Sequence, residues 1–149
     1  SLMPTNLYGK NDNYTLNESH VLPALIRKIY EAKEKNLSFI ECWGTGKPLR
    51  EFLYVDDLAL AIKFVIQNEV NIDLLNIGSG EEISIKELAE KIQAVVGYKG
   101  SLQFDESKPD GNPRKLLDSS KINELGWKST TNLDEGLKKS YDWFSKNIT

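Results

Sequence analysis

One cysteine, one histidine and one methionine are all that 149 residues supply of those three types. Cys42 alone closes no intramolecular disulfide, and one histidine with one cysteine builds no conventional zinc centre. The acidic residues lack calcium-loop spacing, so no metal is assigned. No apolar run approaches the roughly 20 residues of a membrane-spanning helix, and none resembles a secretory leader. A soluble chain in a reducing compartment, the cytoplasm, is therefore expected, with no membrane partner. The net charge of −3 gives no general attraction to phosphate backbones, and without a local basic patch nucleic acid is not an expected partner. Glycine-rich nucleotide loops are missing too. Gly44-x-Gly46 and Gly78-x-Gly80 each lack the third glycine of a dinucleotide fingerprint, and no Gly-Lys-Ser/Thr run exists, so both pairs read as turns.

What is present suffices for one globular domain: 40% of the residues are hydrophobic and 28% charged, and a chain of this length buries roughly two thirds of its unfolded surface. Nothing requires a second domain. The start, Ser1-Leu2-Met3-Pro4-Thr5-Asn6, reads as the end of a strand and hence as a truncation, with Ser1-Leu2 either native or a cloning remnant. Val21, Leu22, Leu25, Ile26 and Ile29 recur at helical spacing over 21–35, with Ser19 placed to cap and Pro23 tolerable in the first turn. Short strands are expected at 38–43, 51–54, 74–77 and 102–104. A helix from Asp56 or Asp57, either of which can cap it, presents Leu58, Ala61, Ile62, Val65 and Ile66 as its apolar face and ends near Asn68. Ser84 and Glu87 match a capping box, flanked by Ile83 and Leu88 as a hydrophobic staple, and Gly97 ends that helix. An irregular exposed loop is expected over 107–113, a short helix from Asp118 to Gly126, and a final amphipathic helix entered through Asn132 and Glu135. The sum is a mixed α/β chain of short strands and about five helices, too few and too irregular in its strands for a complete doubly wound sheet.

Four strings carry a resemblance. They are Pro4-Thr5-Asn6-Leu7-Tyr8-Gly9; Asn17-Glu18-Ser19-His20-Val21-Leu22-Pro23-Ala24-Leu25-Ile26-Arg27; Trp43-Gly44-Thr45-Gly46 with Arg50-Glu51-Phe52-Leu53-Tyr54-Val55-Asp56-Asp57; and Ser107-Lys108-Pro109-Asp110-Gly111-Asn112-Pro113-Arg114-Lys115. Together they resemble the GDP-L-fucose synthases, within the extended short-chain dehydrogenase/reductase superfamily of NAD-dependent epimerases and dehydratases. The Asn-Leu-Tyr-Gly and Arg-Glu-Phe strings point only to the superfamily, and the Ser-His-Val and Lys-Pro-Asp-Gly strings narrow it. The resemblance implies that residues 1–149 form a single carboxyl-terminal, substrate-binding lobe of a Rossmann-type enzyme whose amino-terminal NADP-binding half is absent. The parent it implies takes a GDP-4-keto-6-deoxymannose, epimerises it on both sides of the ketone and reduces the ketone with NADPH. A parent homodimer, formed through the other half, is implied as well.

By the same resemblance His20 is the general acid, a role suited to a side chain whose ordinary pKa lies near neutrality. The plainer role is a helix-entry residue. Pro4, Thr5, Asn6 and Leu7, with His20, match the segment along the nicotinamide end of the cofactor, although this stretch also serves to end a strand. Lys28, Trp43, Arg50 and Asp110 match nucleotide-sugar contacts. Arg50 suits two diphosphate oxygens at once, its alternative being a salt bridge to Glu51 or Asp57. Lys28 stands where arginine is expected and lacks the fork. Trp43 stacks on the ligand or packs in the core, and Asp110 binds the nucleoside or holds its own turn. Asp56-Asp57 read as structural, and Cys42 as a small buried residue away from the position of the family's base.

The family's Gly-rich loop and its Ser, Tyr and Lys set find no match here, since Tyr30 is followed four residues later by Glu34. The chain alone is therefore expected to be inactive and to hold NADP(H) weakly. Two other readings stay open: the lobe of a different nucleotide-sugar dehydratase or epimerase, and a freestanding noncatalytic binding module. A severed lobe is expected to show an apolar face around Leu2, Met3 and Leu7.

Overall fold

The computed structural model describes residues 1–15 and 18–148. Asn17, part of the string that precedes His20, lies outside the described residues. Strands β1 (Leu2–Pro4) and β2 (Asn6–Tyr8) lead into helix α1 (Val21–Glu34); β3 (Phe39–Trp43), β4 (Leu49–Tyr54), helix α2 (Val55–Gln67), β5 (Leu75–Ile77) and β6 (Glu82–Ser84) follow. Helix α3 (Ile85–Val96), β7 (Ser101–Asp105), β8 (Arg114–Lys115), α4 (Ser120–Glu124) and α5 (Leu133–Asn147) complete the order. Five helices and short, mostly parallel strands agree with the expected α/β class, and residues 106–113 form neither helix nor strand. Among the described residues no helix is long and apolar enough to cross a membrane.

Strand β4 organises the fold. Its residues Phe52–Tyr54 pair parallel with β2, while Leu49–Glu51 pair antiparallel with β6 and Leu49–Arg50 parallel with β8. Alternation along this strand sends Phe52 and Tyr54 into one core and Leu53 into another. The first core joins Ile26 and Ile29 of α1, Leu88 and Ile92 of α3 and Phe144 of α5. The second gathers Ala61 of α2, Leu75 and Ile77 of β5, Ile122 of α4 and Trp127. Cys42 is buried in the first core, as expected.

Several local expectations are corrected. Ser19 does not cap α1, because His20 occupies the N-cap position and its side chain makes no capping bond. Neither Asp56 nor Asp57 caps α2: the cap is Tyr54, and the acids lie in the first turn. The apolar face of α2 is narrower than its pattern suggested, since Ala61 is buried while Ile62 and Ile66 are 41% and 70% exposed. Helix α4 begins at Ser120, whose N–H donates to Asp118 Oδ1 at 3.0 Å, and it ends two residues short of Gly126. Strands β2, β6 and β8 were not foreseen.

The entrance to α3 follows its sequence closely. Ser84 Oγ accepts the Glu87 N–H at 3.1 Å, and the Glu87 carboxylate accepts the Ser84 N–H at 3.1 Å, closing the box. The Ser84 hydroxyl and the Ser84 N–H, both donating to the Glu87 carboxylate, hold it below the usual range. Ser84→Ala is expected to lower stability by about 1 kcal/mol, read as a shifted urea midpoint with unchanged slope.

Strands β1 and β5 form a separate two-stranded parallel sheet, with Leu2 opposite Leu75 and Pro4 opposite Ile77. Beside it Met3 and Leu74 are 51% and 54% exposed, and on α2 Leu60 joins the exposed Ile62 and Ile66. The expected apolar face is thus present at Met3, whereas Leu2 and Leu7 are half-buried against the second core.

Candidate active-site cleft

The link between β1 and β2 is held from two sides. Thr5 N–H donates to Ile77 O at 3.0 Å, extending the β1–β5 ladder. Thr5 Oγ1 and Asn6 Nδ2 both donate to the backbone carbonyl of Glu51, at 3.3 and 2.8 Å. The following loop is anchored by Tyr14, which is buried against Phe144 with ring centroids 4.8 Å apart and donates to Gly9 O at 3.1 Å. Arg27 Nη1 donates to Tyr14 O at 3.0 Å, which ties the loop to α1. These contacts place Asp12 and His20 at one opening.

The opening is a cleft of about 660 Å³, lined by Pro4, Thr5, Asn6, Leu7, Asp12 and His20 with Lys115, Leu116 and Leu117 opposite. The five residues expected to meet the cofactor, Pro4 to Leu7 and His20, thus share one wall system. His20 sits in extended backbone (φ −66°, ψ 165°) at the entry of α1, exposed, and its ring makes no capping bond. Asp12 was not foreseen there, because nothing in the Asn11-Asp12-Asn13 run distinguishes it from an ordinary turn. Its Oδ1 accepts the Asn13 N–H at 2.7 Å, while Oδ2 is buried without a partner among the described residues. Burial pushes the Asp12 carboxyl above the ordinary aspartate range, against the opposing pull of the Asn13 amide and the nearby His20.

Three of the four expected sugar-nucleotide contacts gather elsewhere, around the turn after β3. Trp43 is 68% exposed, so it is not a core residue, and Lys108 Nζ lies 5.9 Å from its ring centroid. Asp110 accepts the Thr45 N–H at 2.6 Å and the Thr45 hydroxyl at 2.7 Å, and these bonds hold its carboxyl below the usual range. Gly44 adopts φ +83°, and any Cβ on it would strike Asp110 Oδ1, so this turn and the 106–113 loop close on each other only with glycine there. Arg50 Nη1 donates to Leu49 O at 2.7 Å, and Arg50 forms no ion pair among the described residues; neither Glu51 nor Asp57 is its partner. Its guanidinium lies beside Gly111, next to Asp110. Lys28 stands apart: it lines a separate cavity between α1 and β3, where its ammonium donates to Glu41 O.

A second cavity, of about 710 Å³, lies between β6, α3 and residues 129–134. None of the residues singled out for chemistry lines it, and its walls carry Glu81, Glu87, Glu90 and Asp134, the last paired to Lys91 at 2.6 Å. Two carboxylates whose burial the sequence did not reveal are Glu51 and Asp57, at 0% and 1% exposure. The signal available for both was their place in the Arg50–Asp57 string. Among the described residues no cluster of acids, histidine and cysteine is arranged to hold a metal.

Comparison with known proteins gives the family. A curated relative named GDP-L-fucose synthase 1, from Arabidopsis thaliana, is 53% identical over 146 residues, 98% of this chain and 45% of its own length. One named GDP-L-fucose synthase, from Escherichia coli (strain K12), is 46% identical over 156 residues, covering 99% and 49%. The chain thus spans about half the length of the curated relatives it matches, and it matches their carboxyl-terminal part. The crystal structure of a GDP-L-fucose synthetase from Naegleria fowleri bound to NADP superposes with a TM-score of 0.91 at 32% identity, over 99% of this chain and 47% of that one. Residues 1–78, which hold the β1–β2 link, His20 and the whole of β4, match the model of the NAD dependent epimerase/dehydratase family, and the chain belongs to that family.

Proposed function

We propose that this chain is the substrate-binding lobe of an NADPH-dependent epimerase/reductase that converts a GDP-4-keto-6-deoxymannose to GDP-L-fucose. The observation that carries the reading is the single cleft shared by Pro4–Leu7 and His20. A nicotinamide ring fits its chemistry: Pro4, Leu7, Leu116 and Leu117 supply apolar walls, and the polar Thr5, Asn6 and His20 stand among them. When bound, the dinucleotide supplies the hydride for reduction of the ketone. His20 supplies or takes a proton beside that ketone, with Asp12 lining the same cleft. Trp43, Arg50 and Asp110 hold the GDP-sugar: Arg50 is the cation free to pair with a diphosphate, Trp43 the exposed aromatic face, and Asp110 the fixed acceptor. Lys28 contributes charge from further away.

A parallel pair of three-residue strands is marginal when uncovered. We read the β1–β5 sheet and the exposed Met3, Leu60, Ile66 and Leu74 as the face that meets an amino-terminal Rossmann half, which carries the rest of the NADP site. On this reading the chain alone does not turn over, and dimerisation of the complete enzyme runs through the other half.

The coding sequence upstream of Ser1 tests the proposal. It is expected to encode, in frame, a Gly-rich strand–turn–helix and a Tyr-x-x-x-Lys motif, and the complete product is expected to consume NADPH only when given the GDP-4-keto sugar. A start codon directly before Ser1, with no such segment, would make the chain a noncatalytic binding module.

A further inference from the structure

Glu51 bonds to both walls of the Pro4–Leu7 cleft from behind. Strand β6 covers one edge of β4 along Leu49–Glu51, so β8, paired at Leu49 and Arg50, shares the opposite edge with β2, which pairs from Phe52 onward. On that edge Glu51 falls in the gap where β8 leaves and β2 arrives. The residue bridges the gap with backbone and side chain. Its carbonyl accepts Asn6 Nδ2 at 2.8 Å and Thr5 Oγ1 at 3.3 Å, on one wall. Its Oε2 accepts the Leu117 N–H at 3.1 Å, on the other, and its Oε1 accepts the Gly80 N–H at 2.8 Å.

The side chain is fully buried, and its surroundings leave it little room. A Cβ on Gly78 would run into Glu51 Oε1 and come within 2.8 Å of Ser119 Oγ, so the 78–80 turn packs directly against the carboxylate. Each oxygen takes one backbone N–H, an arrangement only an acceptor at both positions satisfies. Glutamine fills the same volume but turns an NH₂ group toward one of the two N–H donors.

We propose that Glu51 is a positioning residue for the dinucleotide: it sets the separation between the Thr5–Asn6 wall and the Leu116–Leu117 wall, between which the nicotinamide end lies. This inference rests on the cofactor reading of the cleft. It assigns Glu51 no contact with the ligand. The effect runs through Leu117, which has no ladder partner on β4 and is held there by the carboxylate.

NADPH titration of the complete protein, followed by fluorescence well below the unfolding transition, compares the unaltered form with Glu51→Gln and Glu51→Asp. Glu51→Gln is expected to raise the NADPH Kd about tenfold or more, as loss of a charge-assisted bond implies. Glu51→Asp keeps two acceptor oxygens and is expected to raise it less. Amide exchange at Leu117 is expected to quicken in the Gln form. A lowered melting temperature with an unchanged Kd in the folded Gln form makes Glu51 an ordinary core residue and overturns the proposal. If the Gln form does not fold, the Asp form decides: faster Leu117 exchange with an unchanged Kd overturns it equally. An unaltered protein that binds no NADPH removes the cofactor reading itself, and this inference with it, whereas normal binding in both unaltered and Gln forms removes the inference alone.

Discussion

Replacing His20 by glutamine is expected to lower turnover of the GDP-4-keto sugar by the complete enzyme by about 10²–10⁴-fold, the usual contribution of a positioned acid–base group. The same change is expected to leave stability within about 0.5 kcal/mol. The second expectation follows from the structure, because the imidazole is exposed and makes no capping bond, so its loss orphans no buried group. The bond that enters α1 at this position, from Ala24 N–H to His20 O at 3.0 Å, belongs to the backbone and survives any side-chain change. Epimerisation needs a proton delivered to a carbon beside the ketone, so incorporation of solvent deuterium into the sugar ring should fall along with turnover. Steady-state rates, deuterium content by mass spectrometry and urea unfolding together check this. Unaltered turnover would leave His20 as a helix-entry residue and take the acid out of the cleft.

Asp57→Ala is expected to destabilise the chain by about 1–3 kcal/mol, because a buried acceptor is removed while its donors remain. Asp57 Oδ1 accepts the Thr130 N–H at 3.2 Å and the Thr130 hydroxyl at 2.7 Å, and Oδ2 accepts the Thr131 N–H at 2.9 Å. These bonds fasten α2 to the segment entering α5, directly before the Asn132 cap, whose side chain accepts the Glu135 N–H at 2.9 Å. Without the carboxylate the Thr130 and Thr131 N–H groups, on a partly exposed segment, lose their partner, and the loss extends to the register of α5. A denaturant series measures it. A loss under about 1 kcal/mol, the worth of an ordinary hydrogen bond, would mean that the 129–132 segment holds its position through Asn132 and packing alone.

The two residues differ in how they were visible. His20 stood out by its string, and it lines one cleft with Pro4, Thr5, Asn6 and Leu7. Asp57 was read correctly as structural but given the wrong partner, because a carboxylate at a helix start has a ready local explanation as a cap. Trp43 and Arg50 show the reverse case. Each had a plausible structural alternative, core packing for one and an acidic neighbour for the other, and the folded chain gives neither.

By itself the sequence determined whatever depends on neighbours within a few positions. The Ser84–Glu87 box, the Gly97 stop and the Asn132 cap are all written in bonds that span about one helical turn. Tertiary structure alone decided the rest. Strands β2, β6 and β8 are two or three residues long and exist only because β4 pairs with them, which no local pattern encodes. Ile62 and Ile66 lie outside the core that α2 meets within this chain, which the spacing of the stripe alone does not reveal. Glu51 and Asp57 find their donors 66 and 73 residues further along the chain, where only the closed fold brings a buried carboxylate and an unpaired N–H together.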